Sequence, residues 1–202
     1  MFITFEGGEG TGKSTQVKHL AERLRAEGKD IVTTREPGGT PEAEALRALL
    51  VSGDPNNWSA EAEALLNYAA RDSHLAKVIR PALAVGKTVI CDRFMDSTRA
   101  YQGYAGGCSM PLIDELQRSI VGTTMPNLTL VFDLDPTLGL ARAKLRAGAD
   151  EDRYERKGLP FHKRLRDGFL AIAKSEPVRC KLVDASQNIE SVARQVWLAC
   201  HG

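Results

Sequence analysis

Residues Gly7-Gly8-Glu9-Gly10-Thr11-Gly12-Lys13-Ser14 spell G-x-x-x-x-G-K-S between an apolar run, Met1-Phe2-Ile3-Thr4-Phe5, and a helical pattern of Val17, Leu20, Ala21 and Leu24. The string constrains the fold tightly, because it works only as a turn from a buried strand into the N-terminus of a helix. Its glycines let consecutive backbone N–H groups curl round a phosphate chain, and the helix end adds partial positive charge. Lys13 is long enough to reach the outer phosphates, and the Ser14 hydroxyl suits a magnesium ion. Gly7, Gly8, Glu9, Gly10, Thr11, Gly12, Lys13, Ser14 and Thr15 are therefore the expected cradle for a nucleoside triphosphate. Gly28 is the expected stop of the helix that follows.

At 202 residues the chain suits a single α/β domain over residues 1–202, since no Pro/Gly/Ser linker or compositional break divides it. Cys91, Cys108, Cys180 and Cys200 stand far apart with no C-x-x-C pair, which argues against a zinc site or a disulfide framework. The first apolar run breaks at Glu6, short of a leader's core, and no run reaches membrane-spanning length. The expected setting is the cytoplasm, with no membrane contact. A net charge of +1 leaves no general basic field for nucleic acid. Charge is nonetheless concentrated, with nine Lys/Arg against four Asp/Glu over residues 142–166.

Short β-branched or apolar runs at residues 31–34, 88–91, 128–132 and 181–183 alternate with helical patterns, which predicts a parallel sheet with helices on both faces. Thr40-Pro41 is a helix start, a cap followed by proline at the first helical position. A further helix is expected after Ser59, running through Leu65, Leu66, Ala69 and Ala70 toward Pro81, where a kink is expected. In such a fold the carboxyl ends of the strands line the ligand edge. Two of those ends carry arginine: Arg35 in Arg35-Glu36-Pro37 and Arg93 in Asp92-Arg93-Phe94. Asp92 is the expected second magnesium partner beside Ser14. A guanidinium binds phosphate through two parallel hydrogen bonds, so the arginine pair points to a second phosphate opposite the triphosphate. The pattern fits a kinase whose acceptor is itself a phosphate ester. Such an acceptor, with a second pKa of about 6, needs no general base. His19, His74, His162 and His201 carry no motif and are expected to be surface or packing residues.

Phe5-Glu6-Gly7, Thr34-Arg35-Glu36-Pro37-Gly38-Gly39-Thr40, Tyr68-Ala69-Ala70-Arg71, Asp92-Arg93-Phe94 and Ala100-Tyr101-Gln102-Gly103 resemble, in order and spacing, the blocks of the thymidylate kinase family. The resemblance implies a P-loop NTPase fold with a short mobile lid at about 142–158, and Mg²⁺-dependent transfer of phosphate from ATP to dTMP. It also implies a homodimer. Glu9 resembles the carboxylate beside the deoxyribose 3'-hydroxyl, and Arg71 the arginine on the thymine carbonyl. Thr98 matches a contact to the base, Tyr101 one that crowds the 2' position, and Gln102 shares that pocket. The family commonly has Phe four residues before this arginine, where the chain has Asn67; the adjacent Tyr68 should project about 100° away on the helix, so which ring, if any, covers the base stays open, with Phe94 a candidate to close the pocket from another side. Thr11 leaves Lys13 as the only base in the P-loop, which resembles members whose catalytic arginines lie in the lid, here Arg142, Arg146 and Arg153. Asp184-Ala185-Ser186 resembles the adenine-side loop, with Asp184 and Ser186 as ATP contacts. Two alternatives stand beside this reading: a P-loop kinase for another nucleoside monophosphate, and a nucleotide-dependent switch protein. A GTPase switch would carry an N-K-x-D string, and the chain has none.

Overall fold

The computed structural model describes residues 1–145 and 152–201. β1 (Phe2–Gly7) is buried along its whole length at the middle of the sheet. A strand covered on both faces reads as a continuous apolar run rather than an alternating one. The two hydroxyls inside this region satisfy each other, Thr4 Oγ1 lying 2.7 Å from Thr129 Oγ1 on the neighbouring strand. With β2 (Ile31–Arg35), β3 (Thr88–Asp92), β4 (Leu128–Asp133) and β5 (Cys180–Asp184) it forms a parallel sheet of order β2-β3-β1-β4-β5. Each later strand runs one residue further than its apolar run, ending on Arg35, Asp92, Asp133 or Asp184. Those polar ends share the edge that carries the P-loop.

On one face, α1 (Lys13–Ala26) and α9 (Ile189–His201) pack Val17, Leu20, Leu24, Val192 and Val196 onto Ile3, Phe5 and Ile90. Gly28 ends α1 as expected. At φ 81 it occupies the left-handed region that glycine adopts without strain. Its N–H donates to Arg25 O at 2.9 Å while Lys29 N–H donates to Leu24 O at 3.0 Å, the paired bonds of a Schellman end.

On the other face, Phe2, Val89 and Phe94 pack against α3 (Ala60–His74) through Ala64 and Tyr68. Thr40 caps α2 (Pro41–Val51) by accepting from Ala43 N at 3.2 Å, and Ser59 caps α3 by accepting from Ala62 N at 3.1 Å. The kink expected at Pro81 is absorbed differently. Residues Leu75–Ile79 widen into a π turn and α4 (Arg80–Ala84) continues the same helix with Pro81 as its second residue, the widened turn just before the proline making room for its ring and missing N–H.

After β3 come α5 (Met95–Thr98), a widened turn at Arg99–Ala105, and α6 (Met110–Leu116). α7 (Pro136–Lys144) leaves β4, and α8 (Leu159–Ser175) lies under Tyr101 with Phe161, Leu165 and Phe169. Of the expected lid, residues 146–151, Arg146 included, lie outside the described residues. Among the described residues no helix is long and apolar enough to cross a membrane.

Candidate active site

The P-loop lies flat against α7 because two glycines meet there. Gly10 has φ 66, and a Cβ on it would fall 2.0 Å from Gly139 O, so any side chain would push the loop off its support. Lys13 begins α1 and is buried, its Nζ donating to Gly7 O at 3.1 Å, Gly8 O at 2.7 Å and Thr11 Oγ1 at 3.0 Å. Burial and the nearby Arg93 guanidinium lower its pKa to about 8, against the pull of Asp92, Glu9 and Glu6. Ser14 Oγ donates to Asp92 Oδ2 at 2.6 Å, so the expected metal pair is brought together. Two oxygen donors without a protein cage suit magnesium, which keeps water and phosphate oxygens as its other ligands. Among the described residues no group of three or more His, Cys, Asp or Glu forms a metal cluster. Gly10–Thr15, Arg35, Glu36, Asp92 and Arg93 surround a cleft of about 340 Å³.

Arg93 sits at φ 69, a left-handed conformation that costs a side-chain-bearing residue energy and needs outside support. Glu6 supplies it. Its buried carboxyl group accepts from Phe94 N at 2.8 Å, Ser97 N at 3.2 Å and Ser97 Oγ at 2.5 Å, locking the turn to the end of β1. Burial and Asp96 push the Glu6 carboxyl up to about 8. So held, Arg93 donates from Nη1 to Gly7 O at 2.8 Å and from Nη2 to Glu9 Oε1 at 3.2 Å. Tyr101 OH donates to the same Glu9 oxygen at 2.5 Å. Burial alone would raise the Glu9 pKa, but Arg93, Lys13 and the Tyr101 hydrogen bond outweigh it and hold it at about 2. Glu9 is therefore an anion inside the phosphate loop, balanced by its neighbours. Arg35 stands differently, 52% exposed and paired with Glu44 at 3.0 Å.

Beyond Arg93 the cleft opens into a smaller cavity of about 120 Å³, lined by Pro37, Leu50 and Val51 on one side and by Asn67, Thr98, Tyr101 and Gln102 on another. The two spaces share Glu9, Glu36, Arg47, Arg93 and Glu155. Arg71 does not line the cavity. It is buried behind it, donating from Nε to Glu36 at 2.7 Å, from Nη2 to Phe94 O at 3.0 Å and from both Nη atoms to Thr98 Oγ1 at 3.2 Å. Neither candidate ring lies over the cavity. Tyr68 is buried 4.6 Å from the Arg71 guanidinium, and Phe94 packs edge-on against Phe2 at 5.0 Å. The aromatic residues that do line it are Tyr101 and Tyr154.

On the opposite side of the P-loop a groove of about 700 Å³ is lined by Gly10, Thr15, Arg142, Ala185, Gln187 and Asn188 among others. Arg142 Nη1 donates to Ala185 O at 3.0 Å, so this arginine belongs to the groove wall and not to the phosphate cleft. Asp184 and Ser186 turn out to build the loop rather than line it. The Asp184 carboxylate accepts from Ser186 N at 2.9 Å and Ser186 Oγ at 2.6 Å, an Asx-type turn. Arg153 also departs from expectation. It is wholly buried, and its guanidinium is spent on Leu50 O, Asp54 O, Pro55 O and Glu63, which leaves it turned away from the phosphate cleft.

Glu6, Glu36, Glu63 and His74 were missed by motif reading. His74 is buried, its Nδ1 2.9 Å from Glu36 Oε1 and its Nε2 2.7 Å from Thr34 Oγ1, so it supports the Glu36–Arg71 pair instead of merely packing. Helical spacing contained a signal: Glu63, Asn67, Arg71 and His74 recur at intervals of three and four, a polar stripe on one helix face.

A family model described as thymidylate kinase matches residues 5–196. A thymidylate kinase of Caulobacter vibrioides is 54% identical over 195 residues, covering 96% of this chain and 93% of its own. One from Ruegeria pomeroyi is 51% identical over 196 residues, covering 97% and 92%. The crystal structure of thymidylate kinase from Ehrlichia chaffeensis superposes with a TM-score of 0.81 at 38% identity, covering 100% of this chain and 98% of the other. With the family model matching residues 5–196 and relatives about half identical over nearly the whole chain, the chain belongs to the thymidylate kinase family.

Proposed function

We propose that this protein transfers the γ-phosphoryl group of ATP to dTMP, giving dTDP and ADP. The observation that carries the reading is Glu9, a carboxylate within the phosphate loop that is bonded to Arg93 and Tyr101 where the phosphate cleft opens into the second cavity. An acid there repels a triphosphate unless it serves the second substrate. The reaction needs no base, since the acceptor phosphate is already largely ionised. Its barrier is repulsion and alignment between two polyanions.

The chain's residues divide that work. Backbone N–H groups of the P-loop and Lys13 hold the donor phosphates, while Arg93 and the more exposed Arg35 hold the acceptor phosphate. Glu9 and Tyr101 face the deoxyribose, and Thr98, Gln102 and Asn67 face the base, with Arg71 fixing Thr98 from behind. Arg142 and the Ala185–Asn188 side of the groove take the adenine end. Ser14 and Asp92 would hold Mg²⁺, which would offset the negative charge of the phosphates. Arg153 leaves the catalytic set. The reading also includes a homodimer, to be checked by light scattering, and the reducing cytoplasm, which the free thiols of Cys91, Cys108, Cys180 and Cys200 suit.

A coupled assay of ADP formation with dTMP, dUMP, dGMP and AMP as acceptors tests the assignment. dTMP should lead clearly; equal rates with AMP or dGMP would overturn it.

A further inference from the structure

The walls of the acceptor cavity come from separate elements: Leu50 and Val51 at the end of α2, Asn67 on α3, Gln102 after α5, and Tyr154. Arg153 is buried where these elements meet. Its Nη1 donates to Leu50 O at 2.9 Å and its backbone N–H to Val51 O at 3.1 Å. Both carbonyls lie in the last turn of α2, where no further helical N–H reaches them and where a cation is favoured by the helix dipole. Nε and Nη2 continue along the loop to Asp54 O at 2.9 Å and Pro55 O at 3.0 Å.

The other partner is Glu63, in the first turns of α3. Arg153 Nη2 donates to Glu63 Oε1 at 2.6 Å, and Lys157 Nζ to the same oxygen at 2.9 Å. Glu63 Oε2 accepts from Gln102 Nε2 at 2.8 Å and from Tyr154 OH at 3.0 Å. Burial opposes the charge on Glu63, yet Lys157, Gln102 and Arg153 together hold its carboxyl below the usual range. One ion pair thus binds three walls of the cavity.

Buried ion pairs are poor devices for stability, because well-packed apolar residues often serve as well. A guanidinium with four directed bonds is better explained as a device for geometry. We propose that Arg153 and Glu63 are a positioning pair for the acceptor, setting the separation of Leu50, Gln102 and Tyr154 and so the fit of the nucleoside monophosphate. The pair touches neither the phosphates nor the reacting atoms. The inference rests on the reading of that cavity as the dTMP site.

The test is steady-state kinetics of the full chain as Arg153→Lys, Glu63→Gln and Tyr154→Phe, with kcat and the KM of each substrate measured separately. A lysine keeps the charge and loses the fork; a glutamine keeps the shape and loses the charge. Both should raise KM for dTMP roughly tenfold, because small misplacements of a binding wall carry large costs. KM for ATP should move by no more than about twofold. Tyr154→Phe, which removes the hydroxyl's hydrogen bonds with both Glu63 and Gln102, should raise KM for dTMP about threefold. If Arg153→Lys fails to fold, the other two variants decide. A fall in kcat at unchanged KM for dTMP would overturn the proposal in favour of an arginine acting on the transferred group. Equal shifts in both KM values, or none, would reduce the pair to general structure. Should the parent protein show no preference for dTMP, the cavity assignment falls and this inference with it; a parent that prefers dTMP beside variants with unmoved KM removes the positioning role alone.

Discussion

The P-loop side of the cleft is lined by consecutive residues, Glu9 to Thr15, whereas the acceptor side gathers Pro37, Leu50, Asn67, Thr98 and Tyr154 from five separate segments. On the first side the working groups are largely backbone N–H, oriented by glycine conformations and a helix end. On the second they are side chains held from behind by the Arg71–Glu36 pair at 2.7 Å and the Arg153–Glu63 pair at 2.6 Å, all four side chains almost wholly buried. A site made by local backbone should lose chemistry without losing fold. A site held by buried ion pairs should lose both together.

Lys13→Ala gives the largest effect on the first side, about 10³-fold in kcat/KM, because the outer phosphates lose their point charge in a dry cleft. Its melting temperature should barely change, since Lys13 is a buried cation whose hydrogen bonds run only to its own loop. A melting loss as large as that of an acceptor-side variant would break the comparison.

Glu36→Ala is the matching variant on the second side. It strands Arg71 in the interior and leaves His74 Nδ1 without its carboxylate, and one-sided removal of a buried pair costs about 3–4 kcal/mol. Chemical denaturation should register that loss alongside weaker dTMP binding. Unchanged stability would show that the acceptor wall does not depend on the pair.

The two arginines at the strand ends sharpen the contrast at smaller amplitude. Arg93, held at φ 69 and locked by Glu6, should cost about 10²-fold in kcat/KM for dTMP when replaced by alanine. Arg35, half exposed and already paired with Glu44, should cost closer to about tenfold, as solvent screens its contribution. Equal losses would mean that Arg35 moves into the cleft with substrate.

Glu6 joins the two sides, and pH tests that junction with the smallest signal. Its folded pKa of about 8 lies above the ordinary carboxyl value of 4.5, so its contribution to stability is complete below 4.5 and is lost as pH rises through 8. Lys13, lowered from 10.5 to about 8, works in the opposite direction at higher pH, its burial penalty being relieved as pH rises from 8 towards 10.5. Comparison with Glu6→Gln cancels the lysine. Between about pH 5 and about pH 8 the parent should lose melting temperature relative to that variant. A constant difference across that interval would show that Glu6 is ionised in the folded protein throughout.

Much of the fold was legible residue by residue. The five strands, the caps at Thr40 and Ser59 and the stop at Gly28 each depend on a few neighbouring residues, and each forms as expected. The pairing of Ser14 with Asp92 was legible too, because parallel strands bring their carboxyl ends to one edge. Asp184 and Ser186 were expected to contact ATP, yet they bond to each other, because a local Asx turn takes up the oxygens they would offer a ligand.

The sequence by itself determined where the backbone must turn, cap and bind phosphate, since those choices follow from glycine, proline and hydroxyl chemistry within one window of chain. Tertiary structure alone decided which charged residues are ligands and which are struts. Arg142 and Arg153 lie in one basic segment, and nothing local distinguishes them. Arg153 becomes a buried strut because the orphan carbonyls ending α2 and the Glu63 carboxylate on α3 converge on it from a distance in the chain. His74, without any motif, becomes a support for Arg71 because Glu36 and Thr34 arrive on its two nitrogens. A charge in water needs no particular partner, but a charge in the interior must have one, and only the packed fold chooses which charges are taken inside.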